Sequence, residues 1–262
     1  MTPAELRAQM DLCGMVVVRS ALDGADVEVL RECMETLLRR GIPTSRQVLY
    51  THAEPTTPRD DLWVLMEQWI NPHRVPAAGS TFDRMRGMGA WLKEHWGGEL
   101  IPFQDVLLAK HPSHRVFPWH QDEPYWPVDT SGGVIAWVAL DRVEPSNGGV
   151  EFALCSHRDG LGPAIDLHTG EAQQGTTAPL PSLAGYEIVC PVLETGDAVL
   201  FHPRTWHRSG VNRHAQTRRA WASTWLPPDA RWNRDRAPRH PLVGRFEHGA
   251  LVAQPYTTEG TR

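Results

Sequence analysis

A histidine and an aspartate stand two residues apart, as His120 and Asp122, inside the largely apolar stretch WHQDEPYWP (119–127). Polar side chains in such surroundings cost free energy on burial unless they find partners. In a strand, residues i and i+2 project from the same face, so this imidazole and this carboxylate would point together. They would supply two of the three ligands of a 2-His-1-carboxylate site, which holds Fe(II) on one face and leaves other positions open.

The third ligand must come from a strand that is distant in sequence. His207, in DAVLFHPRTWHRSGVN (197–212), ends an apolar run and precedes a Ser-Gly turn. His202 is the competing candidate because it lies nearer the centre of the same run. Pro203 follows it directly, however, and no partner for a bound cosubstrate follows it at a suitable distance. The pattern therefore favours His207 and keeps His202 as the alternative.

An iron site of this kind needs a source of electrons, and 2-oxoglutarate would be one. The distal carboxylate of 2-oxoglutarate needs a cation, and the arginine fork suits it because it binds a carboxylate through two hydrogen bonds. After the turn SGVN (209–212) the chain returns as RRAWASTWL (218–226), which can place Arg218 close to His207. Arg219 would point to the opposite face of that strand and is the fallback.

The elements that must position these residues are mostly short strands. From residue 100 onward, apolar runs alternate with Gly and Pro turns, which is typical of a sandwich or barrel. No helices separate these runs, which argues against parallel βαβ units. We predict a mainly β protein with a helical N-terminal layer. Helices are predicted over residues 4–10, 25–40 and 82–97 and a strand over 15–22, while residues 61–70 fit either a strand or a helix.

No clear linker divides the chain, so we predict one domain over residues 1–262. Two long polar segments inside it are predicted as loops, and both are candidate lids. The predicted parts are an N-terminal helical and strand layer (1–99), a β core (100–230), a C-terminal extension (231–262) and the loops 43–60 and 158–185.

Composition narrows the class of partner. The net charge of −5 gives no general attraction to nucleic acid, and no apolar run approaches the roughly 18 residues of a membrane helix. The N-terminus lacks a secretory pattern and the four cysteines lack CxxC spacing, so we predict a cytoplasmic protein. The 11 tryptophans favour a walled pocket for a partly apolar small molecule. Nothing in the sequence predicts an oligomeric state.

The candidate ligands occur in a pattern that resembles the phytanoyl-CoA dioxygenase family of Fe(II)/2-oxoglutarate oxygenases. The pattern consists of HxD at 120–122, HxSGxN at 207–212 and Arg218. The segment WVALDRVEPSNGGVEFALCSH (137–157) is similar to a family segment, with Cys155 where the family usually has Gly. The resemblance implies a double-stranded β-helix, a jelly-roll fold of the cupin type, with Fe(II), 2-oxoglutarate and O2 as cofactor and cosubstrates.

The resemblance also implies the roles of individual residues. His120, Asp122 and His207 would ligate the iron. Arg218 would bind the distal carboxylate of 2-oxoglutarate, with Ser209 as a further hydrogen-bond partner.

Three more residues receive roles from the same resemblance. Lys110, on the strand before HxD, would contact 2-oxoglutarate. Gln104, six residues earlier on the same strand face, would look toward the substrate, and Trp137 would line the pocket.

The implied reaction is hydroxylation of an unactivated C–H bond of a small molecule, with succinate and CO2 as coproducts. Halogenating relatives replace the carboxylate ligand with a small residue, so Asp122 favours hydroxylation or a related desaturation or ring closure. The size and the arginine-rich composition suggest bacterial specialised metabolism.

Two other functions compete with the oxygenase. A cupin-like isomerase or hydrolase using Zn as a Lewis acid would leave Arg218 and Lys110 without a role. A non-catalytic jelly-roll binding module would leave the cluster of candidate ligands without an explanation.

Overall fold

The computed structural model describes residues 1–40, 48–51, 65–68, 92, 96–112, 116–130, 132–167, 170–173, 182–237 and 246–253. Its helices are α1 (Pro3–Cys13) and α2 (Gly24–Arg40). Its strands are β1 (Met15–Val18), β2 (Val48–Thr51), β3 (Leu65–Gln68), β4 (Ile101–Lys110), β5 (Phe117–His120), β6 (Val128–Asp129), β7 (Val134–Ala139), β8 (Val150–Ala153), β9 (Ile188–Val189), β10 (Ala198–Phe201), β11 (His207–Ser209), β12 (Arg218–Leu226) and β13 (Arg231–Trp232). No helix in these ranges is long and apolar enough to cross a bilayer.

Two antiparallel sheets form the core. The larger has the order β1-β10-β7-β12-β4 and the smaller the order β5-β11-β8-β9. Strands that follow one another along the chain change sheet, as β10, β11 and β12 do, so the two sheets are wound together. The predicted mainly β fold, a double-stranded β-helix, is confirmed.

The N-terminal helices cover the outer face of the larger sheet. Helix α1 begins with a capping box, in which the Thr2 hydroxyl accepts from the Glu5 amide and the Glu5 carboxylate accepts from the Thr2 amide. It ends at Gly14, whose φ of +80° is the left-handed conformation that favours glycine. Helix α2 is fastened to the sheet by Arg31, which donates to the Leu140 carbonyl at 2.7 Å and the Asp141 carboxylate at 3.0 Å.

Strand β12 separates two hydrophobic clusters. Trp221 faces outward and packs with residues of the helical layer such as Leu6 and Leu30. Ala220 faces inward and joins a cluster between the two sheets that includes Phe152 and Phe201. The alternation follows from the period of two in a strand, and it assigns each residue of β12 either to the helical layer or to the interior between the sheets.

Several predicted boundaries differ from the structure. The strand predicted over 15–22 ends at Val18, because Ser20 takes a positive φ of 50° and its amide donates to Asp197. The segment 43–60 is not entirely loop, since β2 lies within it. The ambiguous stretch 61–70 contains strand β3.

The two longer predicted helices differ from each other in outcome. The helix predicted over 25–40 is confirmed as α2. The helix predicted over 82–97 lies mostly outside the described residues, although Leu92 and Trp96 within it are helical.

Candidate metal centre and cosubstrate pocket

The structure brings His120, Asp122 and His207 together. His120 ends β5 and His207 begins β11, and these two residues are directly paired across the antiparallel strands. Asp122 Oδ1 lies 3.5 Å from His120 Nε2, and Asp122 Oδ2 lies 3.7 Å from His207 Nε2. Among the described residues these three form the one cluster of three potential metal ligands, with donor atoms within 4.8 Å of one another.

The route by which Asp122 reaches the cluster differs from the prediction. Strand β5 ends at His120, and Asp122 has the helical angles φ −84° and ψ −37° at the start of the 3-10 helix Glu123–Tyr125. The expectation that His120 and Asp122 share a strand face was therefore wrong. A turn, and not strand alternation, brings this carboxylate beside the imidazoles.

Both imidazoles are oriented by backbone carbonyls. His120 Nδ1 lies 2.8 Å from the Pro118 carbonyl oxygen, and His207 Nδ1 lies 2.9 Å from that of Thr205. A carbonyl oxygen only accepts, so each Nδ1 carries the proton and donates. Each Nε2 is then left with its lone pair directed toward Asp122, which is the tautomer that a metal ligand requires.

The protonation states also suit a metal. Burial, followed by the neighbouring His120, lowers the pKa of His207 to about 4. Burial would raise the pKa of Asp122, but the neighbouring His207 and His120 outweigh it, so this pKa lies below its ordinary value. At neutral pH the cluster therefore consists of a carboxylate and a deprotonated His207 Nε2, as metal binding requires.

The donor set fits a ferrous ion. The separations of 3.5 and 3.7 Å are shorter than twice a metal–ligand distance of about 2.1 Å, so one ion can contact each pair of donors. Two imidazoles and one carboxylate are the ligands of non-haem Fe(II) oxygenases. The rings of Phe152 and Phe201 lie 6.0 and 4.8 Å from the His207 ring and keep this side of the site apolar.

Arg218 is buried in the interior between the sheets, with 4% of its surface exposed. Its Nη2 donates to the Gly148 carbonyl at 3.0 Å, and its guanidinium carbon lies 5.1 Å from the centre of the Trp137 ring. Its Nε and Nη1 are buried without a hydrogen-bond partner in the part of the chain that the structure describes. Burial lowers the pKa of Arg218 to about 10, so the side chain remains a cation at neutral pH.

Lys110 pairs directly with Arg218 across strands β4 and β12. The Lys110 ammonium donates to the Ser209 hydroxyl at 2.7 Å and to the Ser209 carbonyl at 3.3 Å. Burial, and then the nearby Arg218, lowers the pKa of Lys110 to about 7. The Asn212 side-chain amide donates to the carbonyls of Lys110 and Gln216, each at 2.8 Å, and so links the end of β4 to the start of β12.

Gln104 lies opposite Thr224 on the same strand pair. It is 7% exposed, and its Oε1 is buried without a partner in the described ranges. At about 3.4 Å per residue, a spacing of six residues puts it about 20 Å along β4 from Lys110. The structure thus places Gln104 and Lys110 in different regions of the interior, and contact of Gln104 with substrate stays a prediction.

The two alternative residues lie elsewhere. His202 is outside the three-residue cluster, with its ring 5.3 Å from that of His157 and its Nδ1 accepting from the Arg204 amide at 3.1 Å. Arg219 faces the helical layer and donates to both carboxylate oxygens of Asp141, at 2.9 and 2.7 Å. Neither residue is placed to serve as the ligand or the anchor considered in the sequence.

The sequence analysis missed the polar residues on either side of Asp122. Gln121 is 1% exposed and donates to the carbonyls of Arg204 and Gly160, at 2.6 and 3.0 Å. Glu123 is fully buried and paired with Arg204. The sequence offers one signal for this pair. The acidic Glu123 directly follows Asp122, and the basic Arg204 lies three residues before His207.

The start of the segment 158–185 lies against the turn that carries Asp122. Gln121 Oε1 accepts from the Gly162 amide at 2.6 Å, and the Tyr125 hydroxyl donates to the Ile165 carbonyl at 2.8 Å. Ile165 and Ala172 in this segment form an isolated antiparallel β-bridge. The role of the segment as a lid stays a prediction.

Comparisons with known proteins agree with this geometry. A family model described as phytanoyl-CoA dioxygenase (PhyH) matches residues 10–220. The peroxisomal phytanoyl-CoA dioxygenase of Bos taurus is 22% identical over 221 residues, which cover 79% of this chain and 63% of that protein. The human enzyme is 22% identical over 84% of this chain and 67% of its own length. The chain thus spans about two thirds of the length of these relatives.

Solved structures share the fold. The non-heme alpha ketoglutarate dependent carbocyclase SnoK from nogalamycin biosynthesis matches with a TM-score of 0.71 and 20% identity, over 97% of this chain and 96% of that one. The epimerase SnoN in complex with Fe3+, alpha ketoglutarate and nogalamycin RO matches with a TM-score of 0.69 and 21% identity, over 96% of each chain. These comparisons agree with the predicted cofactors, Fe(II) and 2-oxoglutarate.

Proposed function

We propose, since this chain belongs to the phytanoyl-CoA dioxygenase family, that it is an Fe(II)- and 2-oxoglutarate-dependent oxygenase that hydroxylates an unactivated C–H bond of a small molecule. His120, Asp122 and His207 would hold the ferrous ion. When bound, Fe(II) with 2-oxoglutarate and O2 supplies an oxidant for C–H cleavage, and succinate and CO2 are the coproducts.

The observation that carries the proposal is the environment of Arg218. Its guanidinium is buried, and two of its three nitrogens lack a partner among the described residues. A buried cation is costly unless a hydrogen-bonding anion offsets it. The carboxylate of 2-oxoglutarate offers two acceptor oxygens to such a fork, whereas neither the zinc isomerase nor the binding module requires an anion at this position.

Further residues of the pocket have distinct tasks. Trp137 limits the position of the guanidinium because the cation lies over its ring. Lys110 adds a second positive charge, and Ser209 holds the Lys110 ammonium in place. Asp122 supplies the only carboxylate of the ligand cluster, so it leaves no vacancy for a halide and favours hydroxylation.

Finer features of the function follow as part of the proposal. Gln104 would accept a hydrogen bond from the substrate through its buried Oε1. The substrate would be a partly apolar molecule of bacterial specialised metabolism, which agrees with two structurally similar proteins, a carbocyclase from nogalamycin biosynthesis and an epimerase in complex with nogalamycin RO. We assign residues 1–262 to one catalytic domain, supported by the contacts of Arg31 and Arg236 with the β core.

A spectroscopic titration tests the proposal. Anaerobic addition of Fe(II) and then 2-oxoglutarate should give a weak visible charge-transfer band in the wild type. His207→Ala should abolish Fe(II) binding, and Arg218→Met should weaken 2-oxoglutarate binding by about 10–100-fold, since a charged hydrogen-bonded pair contributes about 1.5–3 kcal/mol.

Arg219→Met is the matched control because it removes the adjacent arginine from the opposite face of β12. It should leave the band and the affinity for 2-oxoglutarate unchanged. A wild-type protein that binds Fe(II) but gives no band with 2-oxoglutarate would favour the zinc-type isomerase or hydrolase. Absence of any metal binding would favour the non-catalytic module.

A further inference from the structure

A buried ionic cluster lies directly beside the candidate metal ligand Asp122. Its neighbour Glu123 is fully buried and accepts two hydrogen bonds from Arg204, from Nε at 2.7 Å and from Nη2 at 2.9 Å. Arg236, from the C-terminal part of the chain, approaches the same carboxylate at 3.4 Å. A buried carboxylate is costly unless it is paired and hydrogen-bonded, so Glu123 depends on these arginines.

The same cluster joins the two segments that carry the ligands. Arg204 lies in the turn between β10 and β11, three residues before His207. The Pro203 carbonyl in that turn accepts from the amides of Asp122 and Glu123, at 3.0 and 3.4 Å. Backbone and side-chain bonds therefore connect the turn of Asp122 to the turn that leads into His207.

The Asp122 carboxylate does not cap its own turn. No side-chain capping hydrogen bond is formed at the start of the helix Glu123–Tyr125, and the Asp122 side chain remains 27% exposed. Its direction therefore depends on the backbone of the turn as well as on its contacts with His120 and His207. That backbone is held by Glu123 on one side and by the Pro203 carbonyl on the other.

We propose that Glu123 and Arg204 are positioning residues of the metal centre, whose bidentate pair holds the Asp122 carboxylate at a fixed place relative to His207. This inference rests on the proposed function, because it requires that Asp122 and His207 bind the metal. A positioning role of this kind typically contributes a factor of 10–100 to metal affinity.

The test is the affinity for Co(II) alone, a redox-stable probe that binds nitrogen and oxygen sites at least as tightly as Fe(II). Arg204→Lys keeps the charge but cannot form the bidentate pair, and Glu123→Gln keeps the shape but removes the charge. Isothermal titration calorimetry should show that each variant binds Co(II) about 10–100-fold more weakly than the wild type. The visible spectrum of bound Co(II) should also change, because the geometry of the carboxylate ligand changes.

Arg219→Lys is the control, since it breaks an equally bidentate pair with Asp141 on the outer face of the barrel. It is expected to lower the unfolding temperature but to keep the Co(II) affinity within twofold and the spectrum unchanged. Should Glu123→Gln fail to fold, Arg204→Lys decides alone, because the Arg204 side chain is 30% exposed and the substitution is mild.

The outcomes separate the two hypotheses. If the wild type binds Co(II) and His207→Ala does not, but Arg204→Lys binds with wild-type affinity and spectrum, the positioning role is wrong and the metal site stands. If the wild type does not bind Co(II), the proposed function is wrong and the positioning role fails with it.

Discussion

Lys110 and Arg218 stand directly opposite each other on β4 and β12, and both side chains are almost fully buried. Like charges at directly opposed positions of a sheet destabilise it. Burial and mutual repulsion are reflected in the pKa of Lys110, which falls to about 7. An anion bound beside both residues would offset this repulsion. Binding of such a ligand should therefore raise the free energy of unfolding.

Ligand-dependent stability is the first prediction. Co(II) and 2-oxoglutarate at about 100 times the dissociation constant should raise the wild-type unfolding temperature by about 5–10 °C. Arg218→Met should leave the unfolding temperature of the ligand-free protein the same or higher, because a buried charge is removed, but should eliminate the increase caused by 2-oxoglutarate. Differential scanning fluorimetry measures both effects. A large loss of stability in ligand-free Arg218→Met would contradict the argument.

Proton uptake by Lys110 is the second prediction. With a pKa of about 7, Lys110 is largely neutral at pH 8, and a bound carboxylate would favour its charged form. Binding of 2-oxoglutarate should therefore take up nearly one proton at pH 8 and much less at pH 6, and affinity should fall as the pH rises above 7. Calorimetry in buffers of different ionisation enthalpy gives the proton count. Lys110→Met should show no uptake, and equal uptake at both pH values would refute the role of this lysine.

The choice between two histidines is the third prediction. His207→Ala should abolish Co(II) binding, because His207 Nε2 is a member of the three-residue cluster. His202→Ala should bind Co(II) within a few-fold of the wild type, since its ring packs against His157 instead. Equilibrium dialysis suffices for the comparison. The opposite result would exchange the assignment of these two residues.

The pH dependence of folding is the fourth prediction. Burial, followed by His157 and Arg204, lowers the pKa of His202 to about 4, against 6.5 in the unfolded chain. Between pH 6.5 and 4 the unfolded state binds the extra proton, so the free energy of unfolding falls as the pH is lowered through this window. His202→Gln should reduce the loss between pH 7 and pH 5 by up to about 2 kcal/mol.

Urea unfolding in the presence of a chelator measures the pH effect without interference from metal. His248→Gln, which replaces an exposed histidine, serves as the control and should follow the wild-type curve. A His202→Gln protein with the wild-type dependence on pH would show that His202 does not contribute to the loss of stability.

The spacing of residues predicted that His120, Asp122 and His207 come together better than it predicted their local geometry. His207 and Arg218 could be predicted to lie near each other because only the residues 210–217 separate their strands. The assignment of Asp122 to a strand was wrong because its amide donates to the Pro203 carbonyl, a contact between residues distant in sequence. The Glu123–Arg204 pair has the same origin and was missed for the same reason.

The strand boundaries show a similar limit. The apolar run after Met15 predicts a strand to residue 22. In the structure, however, the Asp197 carboxylate accepts from the Ser20 amide at 2.9 Å and from the Arg19 guanidinium at 2.6 Å. These long-range polar contacts end β1 at Val18. The local pattern of apolar residues cannot predict these contacts, because the acceptor, Asp197, is distant in sequence.

Adjacent arginines on β12 serve opposite sides of one sheet. Arg218 turns inward to the site proposed for the cosubstrate, whereas Arg219 turns outward and holds Asp141 beneath the helical layer. A shift of β12 by a single residue would put one of these arginines into the environment of the other and leave the second environment without an arginine. Such a misaligned chain would lose either the ion pair with Asp141 or the buried guanidinium, so the alignment of β12 affects both the helical layer and the inner site.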